Sequence, residues 1–192
     1  MTFNATIEKE EISALPVEVY RGKIFVVDRH EKIAPAIAYL SKFNRVGFDT
    51  ESRPSFFKNQ SHKVALIQLA THARCYLFRL NKLGHIPQLL EDFLLKSETL
   101  KIGLSLADDF HNIRKSIDFQ PNNFIDLQKY VPRFGIEVSS LQKIYAILFG
   151  KKISKRTQLT NWEADKLTED QQQYAAIDAW ACLRIYGRLQ KE

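Results

Sequence analysis

Val46-Gly47-Phe48-Asp49-Thr50-Glu51 is the stretch on which the reading of this chain turns. Val46 and Phe48 are apolar and β-prone, as in a strand that buries one side. Side chains two apart on a strand share a face, so Asp49 and Glu51 project together, opposite Thr50. Two carboxylates held that close repel, and the repulsion costs stability unless cations neutralise it. Hard divalent cations such as Mg²⁺ favour carboxylate oxygens. The pair alone does not decide, because short acidic pairs also occur at ordinary solvated strand ends.

Two further stretches bring more acids. Thr168-Glu169-Asp170-Gln171 reads as a capping box, opening a helix predicted to run to about Arg188. On it Tyr174 and Asp178, in Tyr174-Ala175-Ala176-Ile177-Asp178, stand at i and i+4 and share a face. A phenol one turn from a metal-binding carboxylate is placed to hold a water there; the plain alternative is a half-buried Tyr beside a solvated Asp. Lys101-Ile102-Gly103-Leu104-Ser105-Leu106-Ala107-Asp108-Asp109-Phe110 reads as a buried strand passing into a helix that continues through Arg114. Open α/β sheets place ligand sites at such junctions. The helix dipole accounts for one of Asp108 and Asp109 and leaves the other free.

Taken together, Asp49-x-Glu51, Asp109 in a Gly-x-x-x-x-x-Asp context, and Tyr174-x-x-x-Asp178 resemble the three exonuclease motifs of the DEDDy branch of 3′-5′ exonucleases. Val64-Ala65-Leu66-Ile67-Gln68-Leu69-Ala70 is similar to the strand after the first motif. Asn161-Trp162, with Leu167-Thr168 and Gln171, is similar to the run-up to the third. The match spans about residues 20 to 190, in order, and is nearest to the Werner-syndrome exonuclease and ribonuclease D catalytic domains. The resemblance implies an α/β, ribonuclease-H-like mixed sheet flanked by helices. Residues 21–192 are expected to form a single exonuclease domain after a lead-in over 1–20.

It also implies two divalent cations, Mg²⁺ or Mn²⁺, and release of nucleoside 5′-monophosphates. Asp49 would bridge both metals, Glu51 and Asp178 would complete the nucleophile-side one, and Asp109 would hold the other through water. Tyr174 would orient the attacking water. The expected substrate is nucleic acid, DNA first, with RNA 3′-end trimming or a binding module of little turnover as alternatives. One departure is Gln158-Leu159-Thr160, where Thr160 takes a Ser-like place and a phosphate contact at Gln158 is in doubt.

The charge balance agrees without deciding. The 192-residue chain carries 28 Lys and Arg against 22 Asp and Glu, a net charge of +6 that suits a polyanionic partner. Lys151, Lys152, Lys155 and Arg156 cluster before the third motif, where they either meet substrate phosphates or form a solvated basic turn. Phe110 and His111 are candidates to stack on the terminal base; the alternative makes Phe110 core and His111 surface. Phe56 and Phe57 either wedge against a terminal base pair or pack on the sheet. Trp162 is expected to be structural.

No run approaches the ~20 apolar residues of a membrane span, and no signal peptide is expected from the polar Met1–Glu11 stretch. Cys75 and Cys182 lack metal-ligand spacing and read as reduced, half-buried thiols of a cytoplasmic protein. Strands are predicted at 24–27, 46–50, 64–70, 74–80, 100–104 and 123–127. Helices are predicted at 31–43, 86–95, after Gly103 and at 141–149, besides the last one.

Overall fold

The hydrophobic pattern resolves into six strands and eight α-helices among the residues described, 3–54 and 62–192, in a computed structural model of the chain. Phe56 and Phe57 lie outside these residues. In order the elements are α1 (Lys9–Ala14), β1 (Lys23–Val27), α2 (Ile33–Leu40), β2 (Arg45–Ser52), β3 (Val64–Ala70), β4 (Arg74–Arg79), α3 (Leu80–Leu83), α4 (Gln88–Lys96), β5 (Leu100–Gly103), α5 (Leu106–Arg114), β6 (Phe124–Asp126), α6 (Leu127–Tyr130), α7 (Leu141–Phe149) and α8 (Glu169–Leu189). Two 3₁₀ turns, His30–Lys32 and Val131–Phe134, precede α2 and follow α6.

The sheet order is β1-β4-β3-β2-β5-β6. β2, β3 and β4 pair antiparallel, while β1 joins β4, β5 joins β2 and β6 joins β5 in parallel. β3 is buried along its whole length because both faces of the sheet are covered. One face carries a core with Leu66, Leu77, Ile144, Ala175 and Ala179, built with α7 and α8. The other packs Phe48, Ile67, Phe78, Leu90 and Ile113 against α2, α4 and α5.

Two local features seat α8. Its N-terminus carries the expected capping box: Thr168 Oγ1 accepts from the Gln171 amide at 3.2 Å, and the Gln171 side chain accepts from the Thr168 amide at 3.0 Å. Gly47 lets the helix lie directly on β2, since a Cβ there would stand 1.8 Å from the Ala179 carbonyl oxygen. This close approach brings the middle of α8 over the end of β2.

Sequence periodicity misses the organisation before β1. Residues 9–14 form α1, and Ile12, Glu18 and Tyr20 are buried. What fixes this segment is long-range: Glu18 accepts from the Tyr145 hydroxyl at 2.9 Å and pairs with Lys151 at 3.1 Å and Arg184 at 3.3 Å. The cysteines are unpaired as expected, and differ from expectation only in burial. Both are free and fully buried, Cys75 facing inward from β4 and Cys182 on the sheet side of α8. Among the described residues no helix is long and apolar enough to cross a membrane.

Candidate active site

Asp49 and Glu51 leave the same face of β2 at its C-terminal end, where β3 places Gln68 opposite Asp49 and Leu66 opposite Glu51. α8 crosses that face and brings Asp178 down to them. Ligand oxygens of Asp49, Glu51 and Asp178 all lie within 4.8 Å of one another. Asp178 Oδ1 is buried without a hydrogen-bond partner, and so are both polar atoms of the Gln68 side chain. The three acids and the unpartnered oxygen fit a hard divalent cation, which takes oxygen donors and removes the repulsion.

The electrostatics show how unfavourable the bare cluster is. Burial first, then the charges of Glu51, Asp109 and Asp178, hold Asp49 well above the usual carboxylate range. Glu51 is pushed up to about 9, by burial and then by Asp178 and Asp109. Asp178 rises to about 7 through burial, against the opposing hydrogen bond from Tyr174 and the charge of Lys155. Tyr174 itself is buried and its phenol is pushed far above its ordinary value, by desolvation and then by Asp178 and Glu51.

Asp109 arrives from another direction. Ser105 adopts a left-handed conformation (φ 58°) that turns the chain from β5 into α5. Asp126 holds this turn, accepting from the Ser105 amide at 2.9 Å and the Leu106 amide at 3.3 Å. Asp109 then projects from the first turns of α5 and accepts a short hydrogen bond from the Thr50 hydroxyl. Burial lifts it to about 6, with the Thr50 hydrogen bond pulling the other way. It stands outside the three-acid cluster yet close enough to raise Asp49 and Glu51. Asp108 is exposed. No local motif marks Asp126 or Thr50; an acid near the end of the predicted 123–127 strand is the one signal the sequence holds for the first.

Asp49 and Asp178 line a cleft of about 230 Å³ together with Tyr174, Lys155, Gln158, Leu141 and Cys182. Of the basic cluster before the third motif, only Lys155 faces the acids. Lys151 pairs with Glu18, the Lys152 ammonium donates to the Ser13 carbonyl, and Arg156 pairs with Asp170. Three of the four are thus engaged by partners in the fold. The half-buried Phe110 ring packs against the core, 5.3 Å from Phe119 and 5.0 Å from Phe124. His111 is exposed on α5.

Part of the loop before α8 is fixed by packing and hydrogen bonds. Trp162 is fully buried, 6.0 Å from the Tyr174 ring. Thr160 accepts from Gln171 Nε2 at 3.0 Å and donates to the Thr157 carbonyl at 2.8 Å, which occupies its hydroxyl. Buried Arg79 donates to the Ala164 and Asp165 carbonyls, fixing the same loop against β4.

Comparison with known proteins agrees with this geometry. A family model described as 3′-5′ exonuclease matches residues 24–192. The mouse bifunctional 3′-5′ exonuclease/ATP-dependent helicase WRN is 32% identical over 155 residues, covering 78% of this chain and 11% of that protein. The Nibbler EXO domain of Aedes aegypti superposes with a TM-score of 0.75 at 25% identity, covering 91% of this chain and 92% of that one. Escherichia coli RNase D shares the fold, with a TM-score of 0.77 at 22% identity over 88% of this chain and 44% of its own. The chain spans 11%, 27% and 39% of three curated relatives it matches.

Proposed function

The chain belongs to the DEDDy-type 3′-5′ exonuclease family, and on that premise we propose that it removes nucleotides one at a time from the 3′ end of DNA, releasing nucleoside 5′-monophosphates. The observation that carries the reading is the convergence of Asp49, Glu51 and Asp178 within 4.8 Å, with the Tyr174 hydroxyl beside them. Asp49, Glu51 and Asp178 would hold one divalent cation, and Asp109 with Asp49 a second. Bound there, a cation pair lowers the pKa of water and neutralises charge that develops on the phosphate.

The chain's own residues supply the rest. Burial and the neighbouring carboxylates raise the Tyr174 phenol, which favours its protonated form as a donor that orients a water by hydrogen bonding. Trp162 and the capping box fix that phenol from behind. Lys155 places a positive charge in the cleft, where it steadies the phosphate that the carboxylates would otherwise repel. Thr50 holds Asp109 in place through its hydroxyl.

The same acids would serve on RNA, and discrimination would lie in contacts to the 2′-hydroxyl. The test is a degradation ladder on matched 5′-labelled single-stranded DNA, recessed duplex DNA and RNA, with Mg²⁺ or Mn²⁺, beside an Asp49→Asn control. A metal-dependent ladder shortening from the 3′ end of DNA, absent in the control, is expected. A ladder on RNA alone would transfer the reading to RNA trimming. No cleavage of any strand would leave a binding module.

A further inference from the structure

The acid cleft adjoins others. Tyr174 also lines a neighbouring cleft of about 460 Å³, whose walls include Val17, Val19 and Ile177. Val17 and Val19 are 54% and 50% exposed, an open apolar surface next to the site. That second cleft shares Glu18 and Val19 with a third, of about 650 Å³. The three therefore adjoin in series, each sharing a wall with the next.

The third cleft is basic. Arg21, Lys23, Arg74, Lys151 and Arg184 line it, against the single acid Glu18. Much of it is held rigid. Arg184 donates to Tyr145 Oη at 2.9 Å and lies over the Phe149 ring at 4.4 Å and the Trp180 ring at 4.9 Å. Arg74 is stacked over the Tyr39 ring at 4.2 Å. Arg21 and Lys23 are exposed, and neither side chain has an ion pair among the described residues. His72, on the rim, is lowered by burial and then by Arg184 and Arg45, which marks a positive field. Arg184 lies six residues beyond Asp178 on α8, roughly 9 Å along the helix axis.

We propose that this basic cleft is a second nucleic-acid site, gripping the phosphodiester backbone upstream of the 3′ nucleotide that the acids process. The inference rests on the exonuclease reading for its direction. Pre-set guanidinium groups favour phosphate, and the apolar stretch between the clefts suits sugars and bases without reading sequence. The consequence is a length dependence: strands long enough to reach from the acids to Arg21 and Lys23 bind better than short ones.

The test uses the full chain and two double variants of exposed residues outside the acid site, Arg21→Gln/Lys23→Gln and Arg21→Glu/Lys23→Glu. Single strands of about 4 and about 20 nucleotides are compared. The charge reversal is expected to raise KM on the long strand about tenfold or more, leaving kcat and the short strand unchanged. In metal-free binding by anisotropy, the Gln pair is expected to lower the log–log salt slope for the long strand by about 1.4, at about 0.7 per phosphate contact. Unchanged melting temperatures establish that the variants fold.

Equal losses on both lengths, or none on either, would overturn the proposal. So would displacement of the long strand by polyglutamate as effectively as by unlabelled strand, which would assign the cleft to an acidic protein segment. A wild type that cleaves the long strand, with variants that bind it equally well, sinks the cleft and leaves the exonuclease reading. A wild type that binds the long strand in a variant-sensitive way yet cleaves nothing sinks the exonuclease reading and leaves the cleft.

Discussion

Replacing an active-site acid by its amide should stabilise the metal-free protein while abolishing its response to metal. Asp49→Asn is the sharpest case. Asp49 is within 4.8 Å of both Glu51 and Asp178 at their ligand oxygens. At that separation each fully ionised pair repels by about 3.5 kcal/mol for an effective dielectric near 20. Proton uptake already relieves much of this, so removing both repulsions should yield about 1–3 kcal/mol at pH 8. For a chain of this size that is a rise of about 3–10 °C in melting temperature. An Asn amide also gives both remaining carboxylates a donor.

The sign follows from raised carboxyl pKa values. Their favourable contribution is complete below the ordinary carboxylate range and is lost as pH rises through about 6 for Asp109, 7 for Asp178 and 9 for Glu51. The advantage of Asp49→Asn should therefore shrink toward zero near pH 5. Adding Mg²⁺ at about 100 times its Kd should raise the wild type by about 2.7 kcal/mol and the variant by far less, reversing their order. The assay is thermal unfolding in chelator and in Mg²⁺ at both pH values. A variant less stable than wild type at pH 8 in chelator, or equally responsive to Mg²⁺, would refute the reasoning.

Three further outcomes are expected. Tyr174→Phe keeps the carboxylates and should retain metal stabilisation while kcat falls about 10²-fold; a kcat equal to wild type would remove the phenol from the chemistry. Gly47→Ala drives a Cβ onto the Ala179 carbonyl and should cost about 1–3 kcal/mol in urea unfolding, with turnover lost as Asp178 moves off β2; full activity would show the close approach to be dispensable. Lys101 is fully buried, with Nζ 3.3 Å from the Ser97 carbonyl and 5.1 Å from the Phe124 ring, and burial lowers it to about 8. A lowered lysine destabilises the fold below that pH and is relieved as pH rises toward its ordinary value, so Lys101→Met should gain about 1–3 kcal/mol at pH 7 and less at pH 10; a loss at pH 7 would contradict this.

The residues legible in the sequence were those whose local pattern is enforced by chemistry. The period-two acids of β2 and the capping box of α8 are short-range statements, and the structure has both where the pattern put them. The strands expected at 64–70 and 74–80 are legible as runs of β-prone apolar residues, and they pair antiparallel as β3 and β4, the second ending at Arg79 where α3 begins. What the pattern did not carry was long-range. α1 and the burial of Glu18 depend on Tyr145, Lys151 and Arg184, more than 120 residues away. The basic cluster at 151–156 looked like one patch, but separate partners at Glu18, Ser13 and Asp170 divide it and leave Lys155 facing the acids. The role of Asp126 in the β5–α5 turn required the parallel pairing of β5 and β6, which no local signal specifies.

The central claim is that the acid cluster hydrolyses the 3′-terminal phosphodiester. It is tested most directly by cleaving an oligonucleotide in H₂¹⁸O with Mg²⁺ and weighing the products by mass spectrometry. Nucleoside 5′-monophosphates derived from the 3′ end, each carrying one ¹⁸O in its phosphate, and none from Asp49→Asn, is the expected result. Release from the 5′ end, unlabelled phosphate, or equal yield from Asp49→Asn would contradict it.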